Sequence, residues 1–188
     1  MPGRICPWWL GYALASPLRR LMHDPRAILG PLVAEGMTVV EPGPGMGFFT
    51  LELARLVGPR GRVVAIDVQP RMLAALGKRA GRAGLADRIE LRTPKDGRMG
   101  VEDLAGAVDV VLAFAVVHEL PDGAGFFAES HRILKAGGRM LVSEPVAHVT
   151  EATFAATTEL AEQAGFLVES RPAIRRSRSV VLIRPSPS

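Results

Sequence analysis

The chain alternates between runs of valine, isoleucine and leucine and segments with helical periodicity, and this alternation limits the fold more than any other feature of the sequence. The apolar runs are "MTVVEP", "RVVAID", "RIELRT", "VDVVLAFAVV" and "RMLVSEP". Strands that are apolar almost throughout, rather than at every second residue, are typical of parallel sheets covered by helices on both faces. The alternation therefore predicts an α/β fold built on a mostly parallel sheet.

The segments between the strands carry helix and turn signals. Apolar residues with helical spacing, proline at a first helical position and glycine after a last one favour helices there. The predicted helices are "ILGPLVAEG" ending at Gly36, Phe48 to Leu56, "PRMLAALGKRAGRAG" beginning at Pro70, about Gly125 to Leu134, and about Glu151 to Ala164. A turn is predicted at "KAGG". The last two strands, "GFLVES" and "RSVVLIR", are joined by a loop too short for a crossover helix, so they must pair antiparallel.

Composition indicates one domain. With 48% hydrophobic residues, a chain of 188 residues can bury a single sizeable core. We expect this domain over residues 24–188, preceded by a cap segment over residues 1–23. The cap contains "ICPWWLGYALA", which is shorter than the about 20 apolar residues that a membrane span needs. Its rigid aromatic side chains, above all Trp8 and Trp9, favour a lid that packs on the domain.

Cysteine and charge content narrow the class of protein. The single cysteine, Cys6, excludes an internal disulfide framework and a cysteine-rich zinc site, and it agrees with a cytoplasmic location. The net charge is +4, but the 23 basic and 19 acidic residues are mixed along most of the chain. A nucleic-acid partner is therefore allowed rather than indicated. No histidines have the close spacing of a metal-ligand pair, so no metal is predicted.

A glycine loop (residues 43–47) connects the first predicted strand to the next helix and contains Gly43, Gly45 and Gly47. Ligands of open parallel sheets bind at this end of the strands, and a dinucleotide and S-adenosylmethionine are the two main candidates. The dinucleotide fingerprint needs its third glycine five positions after the first, and that position is Phe48. The spacing therefore favours a ligand without a pyrophosphate.

Asp67 closes the second predicted strand. A carboxylate at that position can accept hydrogen bonds from both hydroxyls of a ribose. Both candidate ligands contain a ribose, so Asp67 supports a nucleoside ligand without deciding between the two.

Four stretches resemble the successive motifs of class I S-adenosylmethionine-dependent methyltransferases: "VVEPGPGMG", "VVAIDVQPRML", "VDVVLAFAVVHEL" and "ILKAGGRMLVSEP". The resemblance extends from about Asp24 to the C-terminus and is nearest to the small single-domain enzymes of the ubiquinone/menaquinone methyltransferase-like group. It implies a three-layer Rossmann-like sandwich with a seven-stranded, mostly parallel sheet and an antiparallel last strand.

The same resemblance implies S-adenosyl-L-methionine as the cofactor. The acid near the end of the first strand and the glycines after it would hold its methionine portion, and the acid that closes the second strand would hold its ribose. The residues beside that second acid and after the third strand would contact its adenine. The implied cofactor-binding residues are Glu41, Gly43, Pro44, Gly45, Gly47, Asp67, Val68, Gln69, Asp96, Ala113 and Phe114.

Methyl transfer is a substitution at an activated carbon, so aligning the acceptor supplies most of the catalysis and a base is needed only where the accepting atom carries a proton. Residues that could supply one follow the fourth and fifth strands. We predict His118, Glu119 and His148 as catalytic residues, with Glu144 as a further candidate.

The acceptor is narrowed by motifs that the chain lacks. Relatives that methylate exocyclic amines of bases or glutamine amides carry an Asn/Asp-Pro-Pro-Phe/Tyr motif after the fourth strand, where this chain has "AFAVVHEL". One cysteine supports neither a cytosine C5 nor an arsenite enzyme. We therefore predict that the methyl acceptor is a small or hydrophobic metabolite, and that nucleic acid is a disfavoured partner. We predict no membrane span, although weak contact with a membrane interface is allowed. The alternatives are a methyltransferase acting on RNA or protein, and a non-catalytic cofactor-binding regulator or nicotinamide oxidoreductase.

Overall fold

The computed structural model describes residues 23–95 and 97–186. The predicted cap with Trp8 and Trp9, and the predicted adenine contact Asp96, lie outside the described residues. The described chain divides into two compact units, an N-terminal unit ending at Gly100 and a C-terminal unit beginning at Val101. The prediction of one domain over residues 24–188 stays a prediction.

Helices and strands alternate along the chain as the apolar pattern predicts. The strands are β1 Thr38–Pro42, β2 Arg62–Ile66, β3 Ile89–Arg92, β4 Val108–Phe114, β5 Leu134–Pro145, β6 Leu167–Ser170 and β7 Ser177–Ile183. The α-helices are α1 Pro25–Leu29, α2 Thr50–Leu56, α3 Pro70–Arg82, α4 Gly123–Ile133 and α5 Glu151–Gln163. Short 3-10 helices lie at Ala86–Arg88, Glu102–Leu104 and Val117–Glu119. None of the helices in the described ranges is long and apolar enough to cross a lipid bilayer.

The seven strands form a sheet in the order β3-β2-β1-β4-β5-β7-β6. β1 pairs with β2, β2 with β3, and β4 with β5, all in parallel. β7 is antiparallel to both of its neighbours, β5 and β6. The predicted α/β fold, with a mostly parallel seven-stranded sheet and an antiparallel last strand, is confirmed, and so is the antiparallel pairing of the last two strands.

The N-terminal unit is built on β1, β2 and β3. Val40 of β1 lies in register with Val64 of β2, and both side chains are fully buried. α3 begins at Pro70, which occupies a first-turn position where its missing N–H costs nothing. The same helix buries Leu73 and Leu76 in the core of this unit.

The first helix lies earlier than its predicted position in "ILGPLVAEG". α1 begins at Pro25, where the side chain of Asp24 accepts hydrogen bonds from the backbone amides of Arg26 at 2.9 Å and Ala27 at 3.3 Å. Pro31 has no N–H to donate to the preceding turn, so the helix cannot continue through it. The prediction was wrong because it overlooked this proline inside the periodic pattern.

The C-terminal unit is organised around β5, which lies between β4 and β7. The helices on this unit have side-chain caps: Asp122 accepts from the amide of Gly125 at 2.8 Å, and Thr150 accepts from the amide of Thr153 at 3.1 Å. Because β5 is paired on both edges and its residues 140–144 are buried, its side chains are held in fixed positions.

The predicted turn at "KAGG" is part of β5 instead. The β4–β5 register shifts there, since Val108 pairs with Leu134 and Val110 with Arg139. Gly137 has a φ of +75°, and its amide donates to the carbonyl oxygen of Arg184 at 2.8 Å. Hydrogen bonds to the residue after β7 thus keep this irregular stretch within the strand.

Candidate functional site

The glycine loop follows β1 in the N-terminal unit. Its three predicted glycines all have positive φ angles, +68° at Gly43, +54° at Gly45 and +83° at Gly47. Residues with a side chain rarely adopt this left-handed conformation, so glycine is favoured at each position. The amide of Gly43 donates to the carbonyl oxygen of Ile66 at 2.8 Å, and the amide of Gly47 donates to that of Pro44 at 2.9 Å. The loop therefore has one closely defined backbone path.

Gly47 and Gly45 differ in the space that is available for a side chain. A Cβ atom on Gly47 would lie 2.3 Å from Cδ1 of Leu76, a fully buried residue of α3. Apart from Gly45 itself and its two neighbours in the chain, no heavy atom of the described residues lies within 4 Å of a Cβ placed on Gly45. A side chain at position 47 would therefore force Leu76 to move, whereas the space beside Gly45 is open.

Arg79 of α3 holds the glycine loop by a contact that the sequence did not predict. Its Nη1 donates to the carbonyl oxygen of Met46, a residue 33 positions earlier in the chain. Burial lowers the pKa of the Arg79 guanidinium from its ordinary value. Its sequence signal is only an arginine within a helical pattern, which is typical of any exposed helix face.

Asp67 directly follows β2, and its side chain is buried. Its Oδ1 accepts a hydrogen bond from the backbone amide of Gln69 at 2.8 Å, and its own amide donates to the carbonyl oxygen of Arg92 at 3.2 Å. Val68, the next residue, is 54% exposed, which is unusual for a large apolar side chain in this protein. The end of β2 thus presents a fixed carboxylate beside an exposed apolar surface.

Glu41 and Pro44 are both buried on either side of the end of β1. Glu41 lies in register with Ala65 of β2. A carboxylate inside a parallel sheet is costly unless it has polar partners, so a glutamate in this place is a candidate for a function beyond packing.

In the C-terminal unit, Ala113 and Phe114 end β4 and are both buried. The strand stops there, and not at Val117 as predicted, because Ala115 adopts a φ of +57°. Its amide donates to the carbonyl oxygen of Ser143 at 2.7 Å. A non-glycine residue in this conformation is uncommon and persists only where its surroundings hold it, most often at functional sites.

Glu144 of β5 holds the residues that follow Ala115. Only 1% of its side chain is exposed. Its Oε1 accepts from the backbone amides of Val116 at 3.2 Å and Val117 at 2.8 Å, and its Oε2 is hydrogen-bonded to Nδ1 of His118. Three donors thus satisfy the two oxygens of a buried carboxylate. This arrangement suits holding the residues after β4 more than taking a proton from a substrate.

The three predicted catalytic residues lie together in this unit. The His118 ring stacks on the ring of His148, with centroids 5.8 Å apart and planes 6° from parallel. Oε1 of Glu119 lies 4.0 Å from Nε2 of His118. The His118 side chain keeps 23% of its surface exposed, so the imidazole is accessible from solvent. Within residues 23–95 and 97–186, no three histidine, cysteine, aspartate or glutamate side chains form a group that could hold a metal.

His118 has a shifted protonation equilibrium. Its hydrogen bond to Glu144 raises the pKa of the imidazole above its ordinary value, and the negative charges of Glu144 and Glu119 raise it further, against partial burial, which lowers it. The ordinary value of histidine is about 6.5. A raised pKa makes this imidazole a stronger base than an ordinary histidine.

Comparison with known proteins agrees with the fold. A family model described as a methyltransferase domain matches residues 34–171. An arsenite methyltransferase of Halobacterium salinarum is 32% identical over 114 residues, covering 61% of this chain and 28% of that protein. A ubiquinone biosynthesis O-methyltransferase of Methylocella silvestris is 31% identical over 122 residues, covering 63% of this chain and 44% of that protein. The chain thus spans less than half the length of these curated relatives.

A solved structure has a similar fold over nearly the whole chain. It is that of a SAM-dependent methyltransferase from Aquifex aeolicus, with a TM-score of 0.84 and 24% identity, covering 96% of this chain and 100% of that one. At this identity the likeness concerns the fold alone. The family match covers well over half of the 188 residues. The chain therefore belongs to the methyltransferase-domain family, the class I methyltransferases whose cofactor is S-adenosyl-L-methionine.

Proposed function

We propose that this chain transfers a methyl group from S-adenosylmethionine to a small or hydrophobic metabolite whose accepting atom carries a proton. The observation that carries this proposal is the state of His118. Its Nδ1 is bonded to the buried carboxylate of Glu144, while its Nε2 makes no hydrogen bond to any described residue. A partly exposed imidazole in this arrangement can take a proton from an acceptor.

The residues of the N-terminal unit fit the proposed cofactor. Glu41 and the backbone amides of the glycine loop would hold the methionine portion, and the open space beside Gly45 leaves room for close approach to the backbone. The buried carboxylate of Asp67 would accept the ribose hydroxyls. The exposed apolar side chain of Val68, with Gln69, would flank the adenine. The roles of Asp96, Ala113 and Phe114 stay as the sequence predicts them.

When bound, the cofactor supplies a methyl group that its sulfonium charge already activates. The chain's own contribution is to align the acceptor and to receive its proton, for which we propose Nε2 of His118. The carboxylates of Glu144 and Glu119 would stabilise the resulting imidazolium, since both raise the pKa of this ring. His148 would limit the rotation of His118 by stacking on it.

The acceptor that we propose is a hydroxyl compound rather than arsenite. Trivalent arsenic is a soft centre that thiolates bind well, and the 188 residues include one cysteine, Cys6. A hydroxyl acceptor has a proton to lose, which gives His118 a task. The low cysteine content also supports a reducing compartment, and we propose the cytoplasm.

Two assays test the proposal. In a thermal-shift assay, S-adenosylhomocysteine should raise the melting temperature and NAD should not, because a ligand that binds only the native state stabilises it. Methyl transfer from radiolabelled S-adenosylmethionine should then be measured with a panel of small phenols, aliphatic alcohols, amines, thiols and arsenite. Transfer to hydroxyl compounds that is lost in His118→Gln supports the proposal. Transfer only to arsenite, to thiols or to bulk RNA would contradict it.

A further inference from the structure

Glu144 bonds both to the proposed base, His118, and to the two residues before it. It is fully enclosed, comes from β5, and bonds to three consecutive residues that follow the strained Ala115. A buried carboxylate that makes only structural contacts is an expensive way to hold a loop, because its desolvation must be offset by every hydrogen bond it accepts. The contact with His118 suggests what else it does.

We propose that Glu144 is a positioning residue that fixes His118 in the tautomer with its proton on Nδ1 and its lone pair on Nε2. A carboxylate oxygen only accepts hydrogen bonds, so the Nδ1 that faces Oε2 must donate. In a neutral imidazole the other nitrogen then has no proton. The role in turnover rests on the proposed function of His118, but the tautomer is a property of the protein without substrate.

The backbone amides of Val116 and Val117 fix the orientation of the Glu144 carboxylate. Oε1 of Glu144 accepts from two consecutive amides, those of Val116 and Val117, so the carboxylate cannot rotate to turn Oε2 away from His118 without losing both bonds. Among the described residues, the other titratable groups that face His118 are Glu119, 4.0 Å from Nε2, and His148, whose ring stacks on it. Neither bonds to Nδ1, so Glu144 alone among the described residues selects the tautomer.

Glu144→Gln tests the idea because glutamine has the same shape but different donors. Its amide oxygen can still accept from the amides of Val116 and Val117, which leaves its NH₂ group facing Nδ1 of His118. Nδ1 of His118 must then accept a hydrogen bond from this NH₂ group, so the proton of the imidazole moves to Nε2. Glu119→Gln is the matched control, since it removes one negative charge near the same ring but no bond to Nδ1.

The experiment is nuclear magnetic resonance of the histidine rings in the full chain, where long-range proton–nitrogen spectra distinguish the two tautomers. The chain has four histidines, and His118→Gln identifies the signals of His118 by their loss. At a pH above the pKa of His118, the wild type and Glu119→Gln should both show the proton on Nδ1, and Glu144→Gln should show it on Nε2. A wild-type ring with its proton on Nε2 would overturn the proposal, even if no Glu144 variant folds. So would a Glu144→Gln ring that keeps its proton on Nδ1.

Kinetics separates positioning from structure. With the acceptor found in the transfer assay, Glu144→Gln should lower kcat about a hundredfold or more while leaving KM for S-adenosylmethionine near the wild-type value. Glu144→Asp, which restores a carboxylate, should recover part of kcat. If the tautomer changes as expected but no variant affects turnover, the proposed function of His118 fails while the tautomer assignment stands. If turnover needs His118 but the wild-type tautomer is the other one, the positioning role of Glu144 fails alone.

Discussion

The glycine loop and the group formed by His118, Glu144 and His148 are built in different ways. The loop is a contiguous stretch of the chain whose shape follows from three positive φ angles and from glycines at those positions. In the histidine group, His118 bonds to Glu144, 26 positions later in the chain, and the geometry depends on β4 and β5 pairing in parallel. The first is encoded by local sequence, whereas the second is encoded by topology.

This difference has a functional meaning. A contiguous loop with a defined backbone suits recognition of a constant part of a cofactor, because backbone amides do the binding. Side chains brought together from two strands can change one at a time, which suits a site for an acceptor that varies between enzymes. We therefore expect substitutions in the two regions to separate cofactor binding from turnover.

His118→Gln should have the largest effect, on turnover and not on cofactor binding. Removing the proposed base should lower kcat about a hundredfold to ten-thousandfold. Affinity for S-adenosylhomocysteine, measured by calorimetry, should stay near the wild-type value, because we propose that His118 contacts the methyl acceptor and not the cofactor. Loss of cofactor affinity together with activity would remove the distinction between the two regions.

Gly47→Ala should destabilise the fold by about 2–4 kcal/mol, combining an alanine in the left-handed conformation with overpacking against Leu76. Gly45→Ala is the matched control, since it also has a positive φ but open space around its Cβ. It should cost only about 1 kcal/mol in stability yet weaken binding of S-adenosylhomocysteine. Urea unfolding and calorimetry on both variants measure the two effects. Equal losses of stability would show that packing does not distinguish these glycines.

Asp67→Ala should weaken binding of S-adenosylhomocysteine by about tenfold or more, because charge-assisted hydrogen bonds to two hydroxyls contribute about 1.5–3 kcal/mol. Asp87→Ala, which removes an exposed carboxylate from the same unit, should leave the affinity unchanged. Unchanged affinity in Asp67→Ala would place the ribose elsewhere. A large fall in the melting temperature without ligand would show that the bond from the Gln69 amide makes Asp67 structural.

The same contrast explains which parts of the molecule the sequence could predict. The order of the strands along the chain and the antiparallel end of the sheet follow from local patterns, and those predictions are confirmed. The strand ends were less predictable, since β4 stops at Phe114 and β5 includes the predicted turn. The first helix was misplaced because one proline, Pro31, outweighs several periodic apolar residues. The bonds of Glu144 and Arg79 could not be predicted, because they depend on which side chains meet after folding. The strain at Ala115 has no signal either, since alanine is not a residue that usually marks a positive φ.

The smallest expected effect is a pH dependence of stability that distinguishes His118 from a histidine outside the group. The pKa of His118 is raised in the folded protein, first by its bond to Glu144. The stability that this bond adds is therefore fully present below about pH 6.5, and it is lost as the pH rises through the pKa of the folded state. Burial, with the charge of Arg184, lowers the pKa of His131 in α4. The contribution of neutral His131 to stability is therefore present above about pH 6.5, and it is lost as the pH falls through the pKa of the folded state. We expect urea unfolding between about pH 5 and about pH 9 to show two opposite trends. As the pH falls, the wild type should become more stable relative to His118→Gln. Over the same range, the wild type should become less stable relative to His131→Gln. If both variants follow the same trend, the bond between His118 and Glu144 does not stabilise the protonated ring, and the histidine group would not differ from an ordinary packed histidine.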